Sequence, residues 1–310
     1  MDQPVGRITC FRLYPVRPLW SLGSGWAALS GGLAAAGYPL SLKTFLYLLL
    51  AWFLVDPLLG AVWDLGGGGH AQARGIWQRL TRPRLPSTAP LLRLLPYTQT
   101  GSPGYWLARR LGQLRLWWHA TFWPEAAREF ASLLAGLGMA ILLGVILGRG
   151  VLSLVLISVL LSWLAALSGP GDAVPDSSPA GNRPDDIGRL WHTLGEFGVP
   201  WLIGAVVVGE LSWLVILSGM CYSVVYFGLT RRDLFHLALA GQAAAALLLA
   251  GLRHPMAAGA TAILVLLQWG LYAETIRLPR DRPAATDRSR RYAQPFVVLG
   301  MLIAALALAS

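Results

Sequence analysis

The chain has 310 residues, 55% of them hydrophobic and only 13% charged, with a net charge of +10. Soluble domains usually carry about 25% charged residues, so the deficit argues against an ordinary water-soluble domain. The basic excess flanks apolar stretches, which is the pattern of membrane orientation and headgroup attraction, and no nucleic-acid partner is expected. Two cysteines, Cys10 and Cys221, are too few for a disulfide framework or a zinc site.

Arg7, Arg12 and Arg17 precede a first apolar run over 19–38, with Ala34 to Ala36 as a possible cleavage site. The run is long enough to span, and it reads as a retained signal anchor. Eight more apolar stretches follow, over 44–63, 130–148, 151–168, 195–209, 211–229, 234–252, 256–273 and 293–309. Each approaches the length of helix that crosses a hydrocarbon core about 30 Å thick. Of the 25 Lys and Arg residues, 22 fall in every second gap between these stretches; only Lys43, Arg149 and Arg253 lie on the other side. Basic residues stay cytoplasmic. The expected fold is therefore all-α: a polytopic membrane helix bundle of about nine transmembrane helices forming one integral domain over 1–310. The expected location is the inner cell membrane, with membrane lipids as partners, the N-terminus cytoplasmic and the C-terminus external.

A turn at Gly37-Tyr38-Pro39 joins the first two spans. The cytoplasmic segment 64–129 opens on a glycine run and is rich in proline up to Pro103, which resists helix. From Tyr105 to Phe130 it reads as an amphipathic helix on the cytoplasmic surface. Leu107, Leu111, Leu114 and Trp118 share one face, and Trp106, Trp117, Trp118 and Trp123 supply interfacial anchors. Segment 169–190 reads as a solvated loop. Its Asp172, Asp176, Asp185 and Asp186 face water or, alternatively, a cation. Segment 275–291 reads as a basic cytoplasmic loop. Small residues recur every four positions at Ser24, Ala28, Gly32 and Ala36, and again at Ser132, Gly136, Ala140, Gly144 and Gly148. Such faces let membrane helices approach closely, so both are expected inside the bundle.

Acidic residues at membrane depth are costly and point to function. Asp56 and Asp64 stand at the cytoplasmic end of the second span, eight residues apart, which puts them within about 80° of one helical face. Two readings stand: Asp56 caps a kink left by Pro57 while Asp64 simply ends the span, or the pair holds Mg²⁺ together with substrate phosphates. His192 and Glu196 open the fifth span four residues apart, as a local hydrogen bond or a proton-handling pair. Glu210 is expected in solvent at an external turn, and His236 and Gln242 are expected to bond across helices. No P-loop, His-Glu-x-x-His, dinucleotide fingerprint or nucleophile elbow is present.

The layout resembles the UbiA superfamily of intramembrane prenyltransferases, whose members have nine transmembrane helices with the N-terminus inside. The likeness rests on three features: Arg12-Leu13-Tyr14-Pro15-Val16-Arg17-Pro18 before a small-residue first helix, Asp56-x-x-x-Gly60-x-x-x-Asp64 ending the second, and the hairpin around Gly209-Glu210-Leu211. The family's first signature is Asn-x-x-x-Asp-x-x-x-Asp, so Asp64 matches, Asp56 replaces Asn and Gly60 replaces the central Asp. Its second acidic signature, at the end of the sixth helix, is represented by Asp233 alone. The resemblance implies Mg²⁺ and isoprenoid diphosphate bound by Asp56, Asp64 and Asp233, with Arg231 and Arg232 touching the diphosphate. It implies transfer of the prenyl group from a polyprenyl diphosphate to a hydrophobic acceptor. A non-catalytic relative and a transporter or permease subunit with helix breaks at Pro57 and Pro200 are the alternatives.

Overall fold

The computed structural model describes residues 23–60, 62–63, 103–119, 123–168, 190–230, 234–277 and 283–310. Among them the chain is all-helical, with ten α-helices; each of the nine apolar stretches contains one, and the helix over Pro103–Trp117 lies outside them. These are α1 (Ser24–Ala36), α2 (Leu42–Phe53), α3 (Pro103–Trp117), α4 (Trp123–Leu147), α5 (Arg149–Ser168), α6 (Val199–Val208), α7 (Trp213–Thr230), α8 (Phe235–Gly251), α9 (Pro255–Arg277) and α10 (Pro283–Ala309). Leu42–Leu59, Pro255–Ala273 and Tyr292–Ala309 are long and apolar enough to cross a bilayer, and four further apolar helices are shorter. Large apolar side chains are exposed along most of these helices, with Leu247 at 74% and Met256 at 88%. Water disfavours apolar patches of that extent; lipid does not.

The chain divides into two compact units. The smaller contains α3 and the first half of α4, up to Ala135. Within it the Arg110 guanidinium lies 5.4 Å from the Trp106 ring centroid, and Trp118 and Trp123 stack at 6.5 Å. Leu107, Leu111, Leu114 and Trp118 are all exposed, as an interfacial apolar stripe would be. The segment 105–130, expected as one helix, is helical over 103–119 and again from Trp123, and residues 120–122 lie outside the described residues. Residues 123–130, with Pro124, are continuous with the helix of the third apolar stretch, α4. The basic segment 275–291 is likewise helical at both ends. Residues 275–277 extend α9, and Pro283 starts α10, which carries 283–291 ahead of its apolar part.

In the larger unit α1 packs along α6 and also against α2 and α10, while α7, α8, α9 and α10 neighbour one another in chain order. The sequence places small residues where α1 and α6 meet. A Cβ on Gly31 would overlap the Trp201 carbonyl oxygen, and one on Gly204 would overlap that of Ala28. Ser24, Ala28 and Gly32 are buried, so the small-residue face of α1 lies inside. On α4 Gly136, Ala140 and Gly144 are buried, but Gly148 is half-buried and a Cβ on Gly136 would meet nothing within 4 Å. The α1–α2 turn uses Gly37 at φ +64°, a left-handed conformation that favours glycine. Ser41 caps α2 by accepting from the Thr44 amide at 3.1 Å. Buried on all sides, α6 separates two apolar clusters. One includes Phe197, Trp201, Tyr222, Val297 and Met301; the other includes Leu54, Leu58, Val155 and Ile203.

Candidate functional site

Among the described residues of the larger unit two helices widen into π turns, at Leu54–Leu59 continuing α2 and at Leu194–Gly198 leading into α6. Proline accounts for both. Pro57 has no N–H for the Phe53 carbonyl, and Pro200 has none for the Glu196 carbonyl; each ring would also crowd the carbonyl four residues back. The backbone shifts to bonds five residues apart, Gly60 N–H to the Val55 oxygen and Val199 N–H to the Leu194 oxygen. The helices continue through Pro57 and Pro200 rather than breaking. Such turns often mark functional positions in helices, and each of these carries a carboxylate, Asp56 and Glu196.

Asp56 is partly buried and faces the start of α1, where Ser24 Oγ donates to its Oδ1 at 3.3 Å. Gly25 makes the approach possible, because a Cβ there would stand 2.5 Å from Trp52 Nε1 and 3.5 Å from the Asp56 Cβ. Asp64, Arg231, Arg232 and Asp233 lie outside the described residues, so Asp56 is the candidate ligand whose surroundings are seen. The loop aspartates of 169–190 also lie outside them. Among the described residues no three His, Cys, Asp or Glu side chains gather as a metal cluster.

Glu196 is 6% exposed. His192 Nδ1 stands 3.3 Å from its Oε2, the local pairing expected for residues one turn apart. The stronger contact comes from α7: Tyr226 Oη donates to Glu196 Oε2 at 2.6 Å, and Phe197 stacks on the Tyr226 ring at 5.1 Å. A separation that short is typical of an O–H donor on a carboxylate. Nearby, Trp63 Nε1 donates to Ser158 Oγ at 2.8 Å, and the same nitrogen would lie 3.4 Å from a Cβ on Gly195, so the end of α2, α5 and the second π turn converge. Asp56, His192, Glu196 and Tyr226 stand near helix ends that adjoin the arginine-rich segments, whereas Ser158 lies in the middle of α5.

Sequence reasoning missed Tyr226 and Ser24 as partners. They are 30 and 32 positions from the acids they contact, and nothing local marks them. Glu210 is exposed, as expected; His236 is exposed as well, and no bond from it across helices is seen among the described residues. Gln242 is buried but hydrogen-bonds to no group among the described residues. No protein-family model, characterised protein or solved structure matches this chain.

Proposed function

We propose that this is a nine-span inner-membrane protein of UbiA-like kind that binds an isoprenoid diphosphate at its arginine-rich, cytoplasmic face and transfers the prenyl group to a hydrophobic acceptor. The observation that carries this reading is Asp56 on its π turn, a carboxylate held at a helix end beside basic segments. Mg²⁺ takes one or two carboxylates, and diphosphate oxygens and water complete its shell, so Asp56 with Asp64 suffices for one ion and Asp233 is a candidate for more. Such an ion, when bound, offsets the diphosphate charge. Ser24 orients Asp56, and Arg231 and Arg232 contact the diphosphate. In the transfer the C–O bond of the donor breaks, with its electron pair leaving on diphosphate. The acceptor forms the new bond to the prenyl carbon and releases a proton.

Farnesyl diphosphate is expected to bind the purified protein in lipid nanodiscs only with Mg²⁺ present. Asp56→Ala and Asp64→Ala should each weaken binding tenfold or more, read by calorimetry. Binding that ignores both Mg²⁺ and these substitutions rejects the proposal, and binding without turnover of any acceptor leaves the non-catalytic relative. The transporter reading draws on a different observation, the buried Glu196 with Tyr226 and His192 beside Pro200, because intramembrane carboxylates commonly line ion pathways. Substrate-dependent proton uptake into proteoliposomes, lost in Glu196→Gln, would favour it instead.

The orientation is tested separately. In a variant lacking Cys10 and Cys221, Ser41→Cys and Ser310→Cys are expected to react with an impermeant maleimide from outside intact cells. Ser102→Cys should react only after the membrane is opened. The reverse labelling would invert the topology.

A further inference from the structure

Five polar side chains lie buried in the larger unit without a hydrogen bond to any group among the described residues: the hydroxyls of Ser30 and Ser162, Tyr222 at Oη, and Gln242 and Gln268 at both amide atoms, of which the last three are the large ones. Buried polar groups are nearly always satisfied, and in a lipid-facing bundle water is a poor substitute partner. Tyr222 and Gln242 share a focus. A Cβ placed on Gly300 of α10 would stand 3.4 Å from Tyr222 Oη on α7, 3.7 Å from Gln242 Nε2 on α8 and 3.8 Å from Leu264 Cδ1 on α9. Gly300 thus leaves room for about one heavy atom, in ordinary van der Waals contact with both polar groups. Gln268 stands one turn beyond Leu264 on α9, on the same helical face.

The arrangement is rigid on the tyrosine side. The Tyr222 ring stacks on Trp201 at 5.8 Å, and Trp201 Nε1 donates to the Val215 carbonyl at 2.9 Å. Tyr222 and Gln242 each fall near the middle of their helices, and Gly300 falls near the middle of the Tyr292–Ala309 span. The stretches 213–230, 237–252, 255–273 and 292–309 contain no Asp, Glu, Lys, Arg or His. A ligand meeting these groups is therefore uncharged at the point of contact. A carboxamide offers both donor and acceptor, and a phenol hydroxyl does the same. The complementary group is one hydroxyl or carbonyl oxygen.

We propose that Tyr222, Gln242 and the bare backbone of Gly300 form a mid-membrane site for the hydroxyl or carbonyl oxygen of an uncharged, lipid-dissolved molecule. The site is separate from the carboxylates at the arginine-flanked helix ends and does not depend on the diphosphate reading. Leu264, at 3.8 Å from a Cβ on Gly300, supplies an apolar wall for the body of the ligand.

The test uses the full chain in nanodiscs and a diazirine-bearing hexadecanol as photoprobe, with adducts mapped by mass spectrometry. Adducts are expected on 213–230, 234–252 and 292–310, competed by hexadecanol or hexadecan-2-one and spared by hexadecane. Gln242→Leu and Gly300→Ala should each reduce them at least fivefold. Gly300→Ala adds a methyl at ordinary contact distance, so its thermal unfolding should match that of the wild type. It should also leave Mg²⁺-dependent farnesyl diphosphate binding unchanged, which keeps failure here distinct from failure of the diphosphate site. Equal competition by hexadecane, labelling no stronger than that of a diazirine-bearing alkane, or labelling indifferent to both substitutions would overturn the proposal. The wild-type competition decides the matter even if a variant fails to fold.

Discussion

Gly204→Ala is expected to be among the most damaging single-methyl substitutions in the chain. Its Cβ would fall on the carbonyl of Ala28 and within 2.9 Å of the Gly32 amide nitrogen, both backbone atoms that no rotamer change can move. Overpacking usually costs about 1–3 kcal/mol. Here relief requires α1 and α6 to separate along their whole contact, so the cost should reach or exceed the top of that range. It outweighs the gain of about 1 kcal/mol that alanine has over glycine within a helix. Gly31→Ala, which meets the Trp201 carbonyl, should behave alike. Gly138→Ala and Gly259→Ala are the controls. A Cβ at either has nothing within 4 Å, so both should be neutral or slightly stabilising. Fluorescence-detected chromatography after heating measures all four. Wild-type heat resistance in Gly204→Ala would refute the close packing of α1 on α6.

Tyr226→Phe is the second. It removes the hydroxyl that donates to Glu196 Oε2 at 2.6 Å while leaving the carboxylate buried. A buried acceptor left without any donor costs about 1–3 kcal/mol; here Glu196 keeps His192 Nδ1 at 3.3 Å, so the loss should stay within that range. The ring itself keeps its stack on Phe197, so little packing should be lost. Glu196→Gln keeps the shape and weakens the bond, and the double variant should be less damaging than the sum of the two. Groups in one hydrogen-bond network couple by about 0.5–3 kcal/mol. Strict additivity in thermal unfolding would show that the contact contributes no stability.

Of the candidate site, Asp56 was legible because its signal is local. A carboxylate beside Pro57 near the end of an apolar run is costly in lipid wherever the helix packs. The same proline foretold a disturbance in α2, and Pro200 foretold one before α6, although the outcome is a widened turn rather than a break. The start of α10 departs from the hydropathy boundary because the sequence changes character at Tyr292, while the backbone takes its helix start from Pro283. Hydropathy marks where lipid would begin, and proline marks where helix begins. The two differ here by several residues.

By itself the sequence determined the helical, membrane-suited character of the chain and which helix ends adjoin the arginines. Both follow from apolar run length and charge placement, which need no knowledge of neighbours. It also marked the small-residue faces of α1 and α4. Only the tertiary structure decided that α1 meets α6, that Ser24 faces Asp56 and Tyr226 faces Glu196, and that Tyr222 and Gln242 converge on Gly300. Helices that are apolar all round give no preferred face from composition, so their partners are chosen by close packing and by single polar contacts between residues far apart in the chain.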